Sequence, residues 1–322
     1  MQKIKIGIVG FGKIGHAVLS GLKKTDDMEL VGILTRRPEV VAEELGSNEK
    51  VFSIKETPEM DVVILCGGSA KDTPIQGPEF AQLYNTVDSF DNHADIPTYF
   101  QKMKMMAEKN KNTSIVSVGW DPGIFSLERV IGEAFIPKSN PYTFWGNGVS
   151  QGHTNAAKSV AGVVDAIQYT IPIQSVIEEI RAGKTPILTA KQKHKRLVYV
   201  VSDCKGNEEK IEETIKRMPK YFDPYNVEVK FITQEEMNKN HSNYPHGGFV
   251  LTSGQQGGKQ QTLEYSCKLG SNPNFTANIL IAFARVAYRL NKKGEYGAFT
   301  ILDVPLGLLS THSGDELRKK FV

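Results

Sequence analysis

Cysteine is scarce. Cys66, Cys204 and Cys267 are the three in 322 residues, and no CxxC brings two together. That argues against a disulfide framework and a thiolate zinc site. No apolar stretch approaches the ~20 residues a membrane helix needs. The first expected strand begins within a few residues of Met1, where a signal peptide would lie. The chain is therefore expected to be cytoplasmic, with no membrane partner. Net charge is only +3, too small an excess to select a nucleic acid. HExxH and Ser-His-Asp spacings are missing too, which disfavours metal-dependent and hydrolytic chemistry; no metal is expected. What remains is 40% hydrophobic and 23% charged, as in ordinary globular proteins. The length suggests about two domains.

The most telling segment is 4–37, IKIGIVGFGKIGHAVLSGLKKTDDMELVGILTRR. Ile4, Ile6, Ile8 and Val9 lead into Gly10, Phe11, Gly12, Lys13, Ile14 and Gly15. A helical pattern and a second apolar run follow. Strand, glycine turn, helix, strand is the context in which GxGxxG signals dinucleotide binding. Gly10 permits the tight turn, Gly12 lets the backbone approach a pyrophosphate, and Gly15 lets the helix pack on the strand. Amides at the helix start hold the phosphate. The second strand ends in Thr35, Arg36 and Arg37, where an NAD site places a carboxylate for the ribose. Two guanidiniums and a hydroxyl suit a 2′-phosphate. The expected cofactor is NADP(H); a solvated arginine pair is the plainer alternative.

Residues 1–120 read as one doubly wound domain. Strands are expected over 3–9, 28–35, 61–66, 84–89, 113–119 and, more weakly, 51–54, with helices over 13–24, 74–83 and 96–110. An α+β substrate-binding and dimerisation domain is expected over 121–297. Its helices are expected over 124–135, 155–167 and 274–291, and 247–268 reads as a hairpin around Gly257-Gly258. Alternation over 227–231 and 262–266 implies antiparallel strands with one wet face. The apolar stretch 298–304 suggests that the tail 298–322 returns to the first domain. The fold class is α/β: a Rossmann doubly wound parallel sheet followed by an α+β domain, with a cleft expected between them.

Three polar clusters end expected strands, at the edge where open parallel sheets bind ligands. Cys66, Gly67, Gly68, Ser69 and Ala70, with Lys71 and Asp72, offer small residues to a cofactor. An ordinary turn with Asp72 or Thr73 as helix N-cap explains them as well. Cys66 itself, in VVILC, reads as a buried hydrophobe. The run Asp88, Ser89, Phe90, Asp91, Asn92, His93 is more polar than a turn requires, and Asp91 is its foremost candidate. Gly119, Trp120, Asp121, Pro122 and Gly123 put a carboxylate on a turn that proline keeps out of the helical region. Asp91, Asn92, His93, Trp120, Asp121, Pro122 and Gly123 therefore join the cofactor-binding candidates. In the second domain Arg196 ends a basic run (191–196), either a solvated face or a strand-borne side chain turned into a pocket. His246 lies in the turn Pro245-His246-Gly247-Gly248.

Taken together, GFGKIG, LTRR, DSFDNH, GWDPG, TFWGNGVSQGH, QYT, KQKHKR, YPHGG and NPNFTA resemble the meso-diaminopimelate D-dehydrogenase family. They run in family order over almost the whole chain, and GWDPG, FWGxGxSQGH and PHGG carry the specificity. The resemblance implies NADP-dependent oxidative deamination at the D-centre of meso-2,6-diaminopimelate. The products are L-2-amino-6-oxopimelate, ammonium and NADPH. It also implies a cytoplasmic homodimer in lysine and cell-wall precursor metabolism. On this resemblance Asp91 and Asp121 face the reacting amino group and are the catalytic candidates. Trp145 forms an apolar wall, and the backbone near Gln151 and Gly152 contacts the reacting end. Thr170, Arg196, His246 and Asn272 bind the substrate's carboxylates and distal L-centre. His153 lies within the motif without a role.

Two other readings use the same residues. A broad-range D-amino-acid dehydrogenase would not need Arg196 or His246 for a distal group. A non-catalytic NADPH-sensing Rossmann protein would not need Asp91, Asp121, Trp145 and His246. A semialdehyde dehydrogenase would need a cysteine in a glycine-rich turn, and neither Cys204 nor Cys267 sits in one.

Overall fold

Continuous apolar runs build the first sheet, as expected of strands buried on both faces. The computed structural model describes residues 3–69, 71–203, 206–219, 221–242 and 245–322; Ala70 and Cys204 lie outside the described residues. The first stretch comprises β1 (Ile4–Val9), α1 (Lys13–Leu22), β2 (Met28–Thr35), α2 (Pro38–Leu45), β3 (Val51–Ser53), β4 (Val62–Leu65), α3 (Thr73–Ala81), β5 (Asn85–Asp88), α4 (Ile96–Lys109), β6 (Thr113–Ile115) and α5 (Ile124–Phe135). Next come β7 (Asn140–Trp145), β8 (Gly148–Val149), α6 (Gln151–Lys158), β9 (Val163–Pro172), α7 (Gln174–Arg181), α8 (Ala190–Lys193), β10 (His194–Ser202), α9 (Glu208–Lys216), β11 (Asn226–Phe231), α10 (Gln234–Asn240), β12 (His246–Gln256) and β13 (Lys259–Leu269). The chain closes with α11 (Asn272–Lys292), β14 (Gly297–Phe299) and α12 (Gly314–Phe321).

Two compact units result, Met1–Leu127 with Pro273–Val322, and Glu128–Asn272. The first holds a parallel sheet ordered β14-β6-β5-β4-β1-β2-β3. The order reverses at β1, between β2 and β4, which puts the ligand-binding crevice beyond the carboxyl ends of β1 and β4. Helix α11 belongs here, although 274–291 was expected in the second domain. It is apolar on most sides because it packs in the core with β1 and α1. A Cβ on Gly21 of α1 would come within 2.6 Å of Ile281. Arg285 of α11, itself buried, makes two bonds of 2.5 and 2.9 Å to Asp27 and holds that carboxyl below the usual range. Strand β14 then adds to β6.

The second unit has a four-stranded sheet, β11-β10-β9-β8, and a three-stranded one, β13-β12-β7. The expected hairpin is β12–β13. Two expectations need correcting. The helix placed over 155–167 is α6, which ends at Lys158; Gly162 at φ +89° reverses the chain, and Val163-Val164 open β9. Strand β11 is parallel to β10, not antiparallel, because α9 crosses over between them. Its alternation reports one wet face and says nothing about direction. In the first unit, the strand expected over 113–119 stops at Ile115, because Ser117 adopts φ +56°.

Candidate active site

The glycine turn after β1 has its predicted geometry. Gly10 sits at φ +86°, and a Cβ on Gly15 would lie 2.5 Å from the Gly10 carbonyl oxygen. Gly12 is different. Its backbone angles suit any residue, and nothing lies within 4 Å of where its Cβ would be. The chain itself gives no reason for glycine there; a pyrophosphate against that backbone does. Gly10, Phe11, Gly12, Thr35, Arg36, Arg37, Cys66, Gly67 and Gly68 line one groove of about 180 Å³ with Ile54, Asp72 and Gln76. The residues fit an NADP(H) dinucleotide. Cys66 is buried, and burial pushes its thiol up, away from reactivity.

Asp72 is not a side-chain cap of α3. Its Oδ2 accepts the Gly68 amide at 2.9 Å and its Oδ1 lies 3.0 Å from Arg36 Nη1. Arg36 is thus held at the groove by a carboxylate. Gln76, buried there with an unpartnered Oε1, was not singled out from the sequence.

The two acids sit on turns beyond neighbouring strands. Asp91 follows β5, and Ser69, in the turn after β4, fixes it. The Ser69 hydroxyl donates to Asp91 Oδ1 at 2.5 Å and accepts from the Asp91 amide at 3.1 Å. Asn92 donates to Asp95 at 2.5 Å at the start of α4, and His93 is exposed. Asp121, half-buried, lies in a turn closed by the Ile124 and Phe125 amides on the Gly119 and Trp120 carbonyls, at 3.0 and 2.8 Å. Gly123, at φ +131°, is required there, since a Cβ would lie 1.9 Å from the Gly119 oxygen. The Trp120 ring packs edge-on against Phe125.

In the second unit, Trp145 ends β7. Its amide donates to His194 Nε2 at 2.9 Å, and its ring stacks on that imidazole at 5.3 Å. His194 is 1% exposed; burial, reinforced by Arg196 and Lys193, pulls it down to about 3. It is a neutral acceptor holding Trp145. Gly146 follows, where a Cβ would lie 2.1 Å from the Thr170 oxygen. Gly146 and Val149 bond to the carbonyls of Gly247 and Pro245. Those contacts gather Trp145, Thr170 and His246 within one unit. His246 is half-buried, and burial lowers its pKa.

Thr170 of β9 and Arg196 of β10 are register partners, 3% and 4% exposed. Arg196 Nη1 donates to Thr170 Oγ1, and its guanidinium lies 3.9 Å from the Tyr225 ring centroid. Burial lowers the Arg196 pKa, and the Tyr225 hydroxyl partly offsets this. Among the described residues no carboxylate pairs with Arg196, and its Nε has no hydrogen-bond partner. Gln168 Oε1, beside Thr170, is also buried and unpartnered. His153 bonds to Ser150 at 2.8 Å among Tyr221, Phe222 and Tyr225; burial, with Arg196 nearby, lowers it to about 4. Gly152 is exposed with open space at its Cβ position, and Asn272 begins α11. The Gln151 side chain lies outside the described residues. Among them no His/Cys/Asp/Glu cluster forms a metal site.

Gln168, His194 and Tyr225 were missed in the sequence. For His194 a signal existed: it is in step with Arg196, Val198 and Val200, the alternate residues that β10 buries.

Residues 119–271 match the model of the diaminopimelic acid dehydrogenase C-terminal domain. The chain is 49% identical to the meso-diaminopimelate D-dehydrogenase of Ureibacillus thermosphaericus over the full length of both. The C. glutamicum DAP dehydrogenase in complex with DAP is 44% identical, with TM-score 0.91 and complete coverage of both chains. An engineered D-amino acid dehydrogenase bound to NADP+ is 42% identical, with TM-score 0.86, again over both whole chains. A glycine turn built for a dinucleotide, two acids on adjacent strand-end turns and a buried arginine without an acid therefore occur together in a chain that belongs to the meso-diaminopimelate D-dehydrogenase family.

Proposed function

We propose that the chain catalyses the NADP-dependent oxidative deamination of the D-centre of meso-2,6-diaminopimelate, and its reverse. The products are L-2-amino-6-oxopimelate, ammonium and NADPH. The observation that carries the site assignment is Arg196. A guanidinium 4% exposed with no acid beside it is costly, and a carboxylate brought by the substrate completes it.

NADP(H), held at Gly10–Gly15 and Thr35–Arg37, supplies the hydride acceptor and donor. Asp91 and Asp121 bind the D-centre's ammonium and one proton passes from it to Asp121, so that the neutral amine's lone pair can form the C=N bond as hydride leaves Cα. Water adds to the imine and ammonium departs. Asp91, fixed by Ser69, orients; Asp121 accepts the proton. Trp145 excludes water from the reacting centre. Thr170, Arg196, His246 and Asn272 hold the distal L-end, which leaves the D-centre alone to react.

A broad-range D-amino-acid dehydrogenase would have no partner for Arg196. The protein works in the cytoplasm as a homodimer assembled through the second unit. The exposed sheet edge of β13 supports assembly through that unit. No described helix is long and apolar enough to cross a membrane. The deciding assay mixes the protein with NADP+ and meso-diaminopimelate and follows the absorbance of reduced nicotinamide. Turnover of the meso isomer without the L,L isomer is expected; equal turnover of both would overturn the distal grip.

A further inference from the structure

Asp88 ends β5 and is 0% exposed, so its carboxylate is closed off from solvent. Its Oδ1 accepts the amides of Phe90, at 2.9 Å, and Ser117, at 3.0 Å. Its Oδ2 accepts the Tyr99 hydroxyl of α4 at 2.8 Å. Its own carbonyl accepts the Val118 amide at 3.0 Å. Phe90 directly precedes Asp91, and Ser117-Val118 open the turn that carries Asp121. One side chain thus grips the roots of both acid-bearing turns.

The Ser117 amide needs this partner. At φ +56° Ser117 occupies a region that non-glycine residues rarely adopt, and β6 has already ended, so no neighbouring strand takes its N–H. An apolar residue at position 88 would spare the fold a buried charge but would leave two buried amides without an acceptor. The Ser69–Asp91 pair extends the same stitching to the turn after β4.

We infer that Asp88 is the positioning residue that sets Asp91 and Asp121 for proton removal from the substrate amine. The inference rests on the role given above to those two acids. A displacement of about 1 Å in a reacting group can cost on the order of 10²-fold in rate.

The test compares Asp88→Ala, Asp88→Glu and Asp88→Asn with the unmodified protein. It uses single-turnover hydride transfer at saturating NADP+ and meso-diaminopimelate, NADPH titration by fluorescence, and melting temperature. Asn keeps an acceptor for both amides, Ala removes it, and Glu keeps the charge on a longer arm that displaces both turns. Transfer should fall about 10²-fold in Ala and Glu and recover to within about tenfold in Asn, with NADPH affinity unchanged. Should Ala not fold, the Glu-against-Asn contrast decides. Normal transfer in Glu, equal losses in Glu and Asn, or lost NADPH binding would each overturn the inference. A merely structural role would lower the melting temperature and leave the rate per folded molecule intact. If the unmodified protein shows no turnover, the fault lies with the proposed reaction, not with Asp88.

Discussion

The first unit carries its polar groups on turns, and the second carries them on paired strands. Asp91 and Asp121 hang beyond β5 and β6, and a serine hydroxyl and a buried carboxylate hold their turns in place. Thr170 and Arg196 instead face each other across the β9–β10 ladder, already aligned by backbone hydrogen bonds. Turns move more readily than ladders, so groups that must meet a reacting atom from a turn need that stitching to stay in place. The second arrangement suits a fixed grip on a part of the substrate that does not react. On that ladder Arg196 Nε and Gln168 Oε1 are buried without hydrogen-bond partners.

The comparison breaks first at Asp121. Asp121→Asn keeps the shape and removes the charge, and hydride transfer should slow by about 10²–10⁴-fold with NADPH affinity unchanged. Single-turnover kinetics beside NADPH titration measures both. A near-normal rate would take the residue out of the chemistry. On the strand side, Arg196→Leu should lower kcat/KM for meso-diaminopimelate by roughly 10²–10³-fold. A simple D-amino acid without a distal carboxylate should lose far less. Equal losses on both substrates would mean that Arg196 supports the fold and not the grip.

A smaller effect is expected at the cofactor groove. Replacing Arg36 and Arg37 together by Ala should erase most of the preference for NADP+ over NAD+. Each charged contact contributes about 1.5–3 kcal/mol, roughly tenfold to a hundredfold. Equal use of both cofactors by the unmodified protein would remove the assignment.

The last difference is in acid stability. His194 has a folded pKa of about 3 and His153 of about 4, against about 6.5 in an unfolded chain. Both rings are neutral when folded and bind protons on unfolding. Their stabilisation is therefore complete above pH ~6.5 and declines as the pH falls toward those values. For His194 the slope approaches about 1.4 kcal/mol per pH unit. Melting curves from pH 7.5 to 4.5 should show the decline, and His194→Gln, which keeps an acceptor for the Trp145 amide, should flatten it. An unchanged slope in that variant would count against the buried neutral ring.

Sequence patterns disclose a feature when its cause is local. Gly10 and Gly15 are legible because a backbone angle and a helix–strand contact demand glycine at fixed offsets. β1, β2 and β4 are legible because a sheet buried on both faces needs unbroken apolar runs. Asp88 and Asp91 look alike in DSFDNH, and only the fold turns one inward and the other out. His194 sits in a basic run that resembles a solvated face, yet strand alternation buries it with Arg196. The direction of β11 depends on the crossover through α9, and the place of α11 depends on a core assembled from distant segments. Neither cause lies within the window that a periodicity reads.

Helix α11 and β14 complete the first unit, but the whole second unit precedes them in the chain. During synthesis at 5–20 residues per second, Glu128–Asn272 takes roughly 7–30 s to emerge. Throughout that interval the nascent first unit waits with the β6 edge unpaired and the α1 surface around Gly21 uncovered. The second unit is continuous in sequence and can fold as it leaves the ribosome. The half translated second can thus be finished first, while the cofactor-binding half waits for α11 and β14 to close its core.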